Sequence, residues 1–366
     1  MPFRYDVLVV GSGWTGATVA RKLADEGLRV LVLERRNHIG GNCYDEYNEN
    51  GILIHRYGPH IFHTKFPHIW EFASQFTSWH LYQHEVRSYV DGMFFPIPVN
   101  LNTMEMLYHR NFTREEMISF ISERVVHYEE PKNSREVIVS GMGQDIYDKF
   151  FAGYTLKQWG VTADKLEPEV CSRIPIRYTR DNRYFSDPYQ GMPKEGYGRL
   201  FRRMLDHERI TLLLKTDYSV VKDEIKAGWT LYTGGIDTFF DRVYGPLPYR
   251  GIRFVFETHK QENYQAWAVV NYPNDFGFTR ITEYKRLTGQ ERSLTTISFE
   301  YPSNNGEPCY PMPTKSALAL YGRYCKLADK MDRTSFLGRL GSYRYLNMDQ
   351  AILQGLDLAE ELLELI

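Results

Sequence analysis

The chain has 366 residues, and its 44 Lys and Arg against 46 Asp and Glu leave a formal net charge of −2. That near-balance argues against a protein that coats a polyanion, which needs a basic excess, yet leaves room for a local basic pocket. Hydrophobic residues at 43% and charged residues at 25% are ordinary globular usage, which argues against global disorder, and the length suggests two or three folding units.

Aromatics reach 15%, with 27 Tyr and 21 Phe. A phenol offers a stacking face and a hydroxyl, which suits pockets for bases and sugars, although core filling is the ordinary role of any one ring. Cys43, Cys171, Cys309 and Cys325 form no CxxC and stand at wide, irregular gaps, which argues against a disulfide scaffold or a zinc ribbon. Residues 1–13 lack the charged-then-apolar pattern of a leader, and no apolar run approaches the ~18 residues of a membrane span. A cytoplasmic, reducing location without membrane insertion is expected, and no nucleic-acid partner.

In chain order, residues 6–10 form a short apolar run typical of a buried parallel strand. Gly11-x-Gly13-x-x-Gly16 follows, then Val19, Leu23 and Ala24 at helical spacing predict a helix over 17–26 that Gly27 stops. Residues 30–33 read as the next strand, ending at Glu34, which completes a βαβ unit. From 102 to 153 the pattern is helical: Thr113 and Glu116 read as a capping box, with Ile118, Ile121 and Val125 on one face, and a further helix over 143–151 carries Ile146, Phe150 and Phe151. Residues 160–187, dense in charge, Pro and Tyr, predict a long loop with short strands, and long loops are often functional. Residues 211–214 and 229–232 read as strands, 254–299 as antiparallel strands (266–270 among them), 335–338 as a strand entering a glycine turn, and 348–365 as a helix.

The glycine motif alone is weak evidence. Between a strand and a helix, with an acid 18 residues on at a strand end, it reads as a dinucleotide site: the glycines let a pyrophosphate approach the helix N-terminus, and Glu34 accepts from a ribose. The next segment, Glu34 to Asn42 with Arg35, Gly40 and Gly41, resembles flavoproteins that bind FAD in an extended pose, where a second glycine segment follows the cofactor. Gly338 and Arg339 ahead of the last helix resemble the same group, so FAD is favoured over NAD. His55, His60 and His63 could suggest a metal, but no carboxylate or Cys completes a ligand set nearby and Pro59 forbids a regular helix, so no metal is expected. A structural histidine turn and a loop against the flavin ring remain. Phe151 and Tyr154, three apart, could sandwich a flat base or simply pack a core.

Here a family resemblance becomes specific. YGPHIFHT at 57–64, GYTLKQWG at 153–160, RYFSD at 183–187, QGMP at 190–193, FTRI at 278–281 and GRLGSYRY at 338–345 resemble, in order and across nearly the whole chain, the UDP-galactopyranose mutase family. The resemblance implies an isomerase that interconverts pyranose and furanose forms of a nucleotide-bound sugar without net redox, for galactofuranose-containing glycans, through attack of reduced FAD N5 on the anomeric carbon. The absence of a GxSxG elbow or a Cys–His nucleophile pair agrees with that. It implies that Arg280 and Arg173 clamp the diphosphate, with Arg250 and Asn271 in the same pocket and His60 and His63 at the catalytic centre. Tyr184, Tyr310 and Tyr345 would add phenols; Phe151, Tyr154 and Thr155 would hold the uracil; Trp159 would wall the sugar; Asp349 would join the cofactor set; and the loop carrying Arg173 would be a mobile lid. It implies a homodimer and an electron donor.

The implied architecture is α/β: a Rossmann-like FAD-binding domain from 1–80, 195–245 and 312–366, a helical insert at 100–160 with substrate-binding residues, and an antiparallel-sheet domain from 81–99, 161–194 and 246–311. Four positions depart from the family: Asn347 for Asp, Phe278 for Tyr, Tyr284 for His and Gly235 for Pro. They are expected to bear on the sugar or the rate and not on the flavin motifs. A mutase for another nucleotide sugar (UDP-N-acetylgalactosamine or dTDP-fucose type), an FAD-dependent oxidoreductase and a non-catalytic binding protein are the alternatives. The first shares the diphosphate clamp; an oxidoreductase needs none.

Overall fold

The computed structural model describes residues 4–172 and 174–365. Five parallel strands form one sheet, in the order Ile210–Leu214, Val30–Glu34, Tyr5–Val10, Ala227–Tyr232, Thr334–Phe336. Val30–Glu34 is buried throughout, as its unbroken apolar run requires for a strand covered on both faces. Helix Trp14–Asp25 follows the first strand, and helix Met348–Leu365 packs against it so closely that a Cβ on Gly355 would come within 2.8 Å of Thr18 Cβ. Sequence-distant strands thus share one sheet, and their carboxyl ends open on one cavity.

A seven-stranded sheet runs Tyr310–Pro311, Tyr249–His259, Thr295–Ser303, Arg280–Glu283, Val269–Asn271, Val86–Val90, Met93–Ile97. It is antiparallel except where Val86–Val90 runs parallel to Val269–Asn271. The chain between those two strands makes a long excursion through the helical segments, and a long connection permits parallel pairing where a hairpin would not. Short strands Phe62–Thr64, Tyr189–Pro193 and Trp79–Leu81 make a third sheet.

The helical segment is built from short pieces: Leu101–Tyr108, Arg114–Ser122, Ser134–Met142 and Gly153–Trp159, with a π-helical turn over Tyr147–Ala152. The Thr113 box forms: Thr113 Oγ1 accepts from the Glu116 amide at 3.2 Å, and Glu116 Oε2 from the Thr113 amide at 2.7 Å. Ile118, however, is exposed, and Met117 with Ile121 makes the buried face. A second box was not anticipated. Asn100, fully buried, accepts from the Thr103 amide at 3.0 Å and donates to Asp181 O at 3.1 Å and Asn182 Oδ1 at 2.9 Å. Asn100→Ala removes a cap and strands those groups, which is expected to cost about 2 kcal/mol, read as a lower urea midpoint at unchanged slope.

Two further expectations are corrected. The described residues of 160–187 contain a 3-10 turn, Ala163–Lys165, and a helix, Glu169–Ser172, with one isolated bridge (Glu85 to Arg183) in place of short strands. Residues 266–268 precede their strand, which begins at Val269. Helices Pro67–Ser74, Tyr197–Leu205 and Lys315–Ala328 add to the elements read from the sequence.

Candidate functional site

The first cavity, about 530 Å³, opens at the carboxyl ends of the parallel strands. Gly11, Gly13, Gly16, Glu34, Arg35, Gly40, Gly41, Asn42, His60 and Arg339 all line it. Gly11 has φ 104°, and a Cβ there would lie 2.1 Å from Thr233 Oγ1; one on Gly16 would lie 2.1 Å from the Gly11 carbonyl oxygen. These two glycines hold the turn itself together. No side chain caps the helix that starts after Gly13, so its first amides remain available to an anion. Glu34 is buried and aimed: its Oε2 accepts from the Ser12 amide at 3.1 Å and the Ser12 hydroxyl at 2.7 Å, and its Oε1 from the Arg36 amide at 2.9 Å. Among the described residues, three buried polar atoms on side chains of this wall, Trp14 Nε1, Arg36 Nε and Asp237 Oδ1, have no hydrogen-bond partner. A glycine cradle, an oriented carboxylate and unpaired polar atoms fit a dinucleotide.

Asp349 does not reach this wall. It sits in the first turn of Met348–Leu365, where its Oδ1 accepts from the Gln350 amide at 2.8 Å, and Asn347 and Met348 form the wall instead. Gly235 and Asn347, read as departures remote from the cofactor motifs, both line this cavity.

The second cavity, about 440 Å³, lies between the helical segment and the seven-stranded sheet. His60, His63, Phe151, Tyr154, Thr155, Trp159, Tyr184, Asn271, Arg280, Tyr310 and Tyr345 line it. His60, Arg339, Asn347 and Met348 border both cavities. Arg280 is its cationic centre. It donates through Nε to Asn271 Oδ1 at 3.1 Å and through Nη2 to the Tyr154 hydroxyl at 3.0 Å, and its Nη1 lies 3.7 Å from Glu300 Oε2. Asn271 and Arg280 are direct cross-strand partners, which fixes that pair. Burial works against the charge of Arg280, but Tyr154, Glu300, Tyr310 and Tyr184 around it raise its pKa above the ordinary value. Burial pushes the Glu300 carboxyl up, while Arg280 draws it down. Tyr310 stacks on Tyr345 (5.6 Å, 11°), Trp159 meets Tyr310 edge-on at 6.1 Å, and the Arg339 guanidinium lies over both tyrosine rings.

The histidines form a structural turn that also borders the cavities. His55 Nδ1 accepts from the His60 amide at 3.0 Å, and His60 Nδ1 faces the Gly58 carbonyl at 2.8 Å. Burial pulls His55 down to about 3; burial with the nearby Arg339 charge, partly offset by Gly58, pulls His60 down to about 4. Both are neutral at physiological pH. His63 stands on the wall of the second cavity alone: its Nδ1 is 2.6 Å from Asp187 Oδ2, and its ring stacks on Phe185 at 3.6 Å. The carboxylate accepts from Nδ1, which orients the ring and leaves Nε2 free of that contact. Among the described residues no group of three or more His, Cys, Asp and Glu is placed to hold a metal ion, and no helix is long and apolar enough to cross a membrane.

Arg250 is the one described substrate residue that the structure keeps off the wall. Its Nε donates to Gln158 O at 2.9 Å, its Nη2 to Lys157 O at 3.0 Å, and its Nη1 to Asn304 Oδ1, so it caps the last turn of helix Gly153–Trp159. Arg173 lies outside the described residues. Reading the sequence did not find His84, Glu300 or Asp187 as site residues, because only the sheet and the 181–187 turn bring them to Arg280 and His63. His84 is buried, edge-on to Tyr184 at 5.7 Å, and burial together with Arg280 and His63 pulls it down to about 3. Phe278 and Tyr284 lie behind the wall: Phe278 packs on Tyr272, Phe276 and Phe299, and the Tyr284 hydroxyl meets His55 O at 3.2 Å and Ser298 Oγ at 2.8 Å.

Residues 9–76 match an NAD(P)-binding Rossmann-like domain and residues 149–345 match the UDP-galactopyranose mutase family model. The chain is 36% identical to a Klebsiella pneumoniae protein named "Probable UDP-galactopyranose mutase", covering 98% of this chain and 94% of that one. It is 34% identical to the dTDP-fucopyranose mutase of Escherichia coli, over 97% of each. Its fold superposes on a crystal structure of reduced UDP-galactopyranose mutase with a TM-score of 0.80 at 16% identity, covering 100% of this chain and 95% of the other. A glycine-cradled cavity joined to an arginine-centred one, together with these full-length likenesses, shows that the chain belongs to the UDP-galactopyranose mutase family.

Proposed function

We propose that the protein interconverts the pyranose and furanose forms of UDP-galactose, for galactofuranose-containing glycans, with FAD in the first cavity and the nucleotide sugar in the second. The observation that carries this is the meeting of the two cavities at His60, Arg339, Asn347 and Met348, with Arg280 and its phenols lining the substrate side. Gly11, Gly13 and Gly16 would admit the pyrophosphate to the helix start, and Glu34 would accept from the ribose. When bound and reduced, the flavin supplies a nucleophilic nitrogen for the anomeric carbon, so the reaction needs an electron donor but has no net redox.

The chain's own groups would bind and orient. Arg280 neutralises the diphosphate, both where it is bound and where it carries the charge of a departing group, and a preformed cation needs no reorganisation for this. Arg173, outside the described residues, is the second clamp of this reading. Phe151 and Tyr154 hold the uracil, Thr155 supports them, Tyr184, Tyr310 and Tyr345 donate to phosphate oxygens, and Trp159 walls the sugar. Asn271 keeps the Arg280 fork in plane. His63, held by Asp187, offers Nε2 to a sugar hydroxyl or the ring proton. The division into cofactor, helical and sheet domains, a mobile lid, a homodimer and a cytoplasmic location belong to the same reading.

The likeness to a dTDP-fucopyranose mutase favours one second reading, a dTDP-linked fucose as substrate. Dithionite-reduced holoprotein is to be offered UDP-galactose, UDP-N-acetylgalactosamine and dTDP-fucose in both ring forms, with chromatographic separation of products. Interconversion of the UDP-galactose ring forms is expected. Conversion of dTDP-fucose alone would transfer the assignment, and an oxidised sugar without ring change would overturn it.

A further inference from the structure

Lys157 stands behind the wall of the second cavity, between neighbours Thr155, Gln158 and Trp159 that line it, and has no part in the roles above. It lies on helix Gly153–Trp159, one turn after Tyr154 and two residues before Trp159. Its Nζ donates to three backbone carbonyls of one turn: Tyr272 O, Phe276 O at 2.9 Å and Phe278 O at 3.0 Å. That turn joins strand Val269–Asn271 to strand Arg280–Glu283, so its two ends carry Asn271 and Arg280. Helix and turn are in backbone contact: a Cβ on Gly153 would lie 2.5 Å from the Pro273 carbonyl oxygen, and Asn274 Nδ2 donates to Lys149 O at 3.0 Å. Across the cavity the same two elements meet again where Arg280 Nη2 reaches the Tyr154 hydroxyl.

We infer, resting on the nucleotide-sugar reading of this cavity, that Lys157 is a positioning residue that sets the distance between the aromatic wall of the helix and the diphosphate-binding guanidinium of Arg280. An ammonium has three N–H groups for three carbonyls. A neutral amine has two, and leaves one carbonyl unpaired in a half-buried site. Among the described residues the charged groups around it are few: Asp275 within the turn favours the ammonium, Arg250 of strand Tyr249–His259 touches the Lys157 carbonyl, and Lys149 on the preceding turn is neutralised by Asp91 at 2.6 Å. Burial holds Lys157 down to about 8. The tie is therefore complete below that pH and loosens as pH rises through it.

The test is UDP binding to the oxidised, FAD-loaded protein by calorimetry at pH 7 and pH 9, with amide exchange of residues 272–278 read in parallel. Lys157→Met is expected to weaken UDP about tenfold or more at pH 7, as loss of a charge-assisted hydrogen-bond cluster implies, with flavin content unchanged and faster exchange in the turn. The unmodified protein is expected to lose affinity between pH 7 and pH 9. Lys157→Arg, charged at both, is expected to bind UDP equally at the two. Equal UDP affinity and equal turn exchange in Lys157→Met would overturn the inference. Should that variant fail to fold, a pH loss in Lys157→Arg as large as in the unmodified protein would overturn it. If the unmodified protein binds no UDP at either pH while Lys157→Met still speeds exchange, the tie stands and the nucleotide-sugar reading falls.

Discussion

Arg280→Ala is expected to lower kcat/KM by about 10³-fold or more while the protein keeps its flavin, since it removes the described cation at the centre of the substrate cavity. The guanidinium joins three elements: the helix through Tyr154, the neighbouring strand through Asn271, and the sheet interior through Glu300. Truncation leaves the Glu300 carboxyl buried without that cation. Burial already favours its protonated form, so it is expected to take a proton and keep the fold. Arg280→Lys keeps a charge but loses the planar fork that holds Asn271 and Tyr154 together, and is expected to lose about 10²-fold, because a point charge cannot hold two partners in one plane. Steady-state kinetics with reduced protein, alongside the flavin absorbance ratio, separates these outcomes. Wild-type turnover in Arg280→Ala would remove the diphosphate clamp from the proposed function.

Gly16→Ala is expected to give a protein that purifies without flavin colour. A methyl there would sit 2.1 Å from the Gly11 carbonyl oxygen and 3.0 Å from Val9 Cγ1, and neither the backbone oxygen nor the buried strand can withdraw. The turn between strand Tyr5–Val10 and helix Trp14–Asp25 would have to open, and the helix start would no longer face the cavity. Gly13→Ala is the informative partner. The nearest atom to a Cβ at Gly13 is Gly41 Cα at 3.9 Å, an ordinary contact. Its φ of −73° suits any residue. Gly13→Ala is therefore expected to fold with an unchanged unfolding midpoint and yet bind FAD at least about tenfold more weakly, because the added methyl projects where a pyrophosphate must approach the backbone. Fluorescence titration of apoprotein with FAD reads the affinity and thermal unfolding reads the fold. Unchanged affinity in Gly13→Ala would place the cofactor elsewhere.

The parts of this molecule legible in the sequence are those whose physics is local. The first βαβ unit follows from an apolar run, a glycine turn and an acid at the next strand end, and all three stand where expected. The Thr113 box needs four residues and forms. What the sequence hid depends on distant partners. The parallel pairing of Val86–Val90 with Val269–Asn271 joins strands far apart in the chain, and no periodicity carries that register. This pairing sets Ser88 opposite Asn271, one strand away from Arg280. Glu300 belongs to the site through another long-range pairing, the antiparallel one that sets it opposite Arg280. Arg250 is placed on the wall by the family resemblance, but the carbonyls at the end of helix Gly153–Trp159 claim it. Ile118 fits a helical stripe by spacing, yet the short helix turns Met117 and Ile121 inward instead.

The most direct measurement compares one holoprotein in two redox states. UDP-galactofuranose is given to oxidised and to dithionite-reduced samples, and the two ring forms are separated over time. Rapid conversion to the pyranose is expected in the reduced sample and almost none in the oxidised one. Equal rates in both would contradict a flavin-assisted ring exchange in the joined cavities.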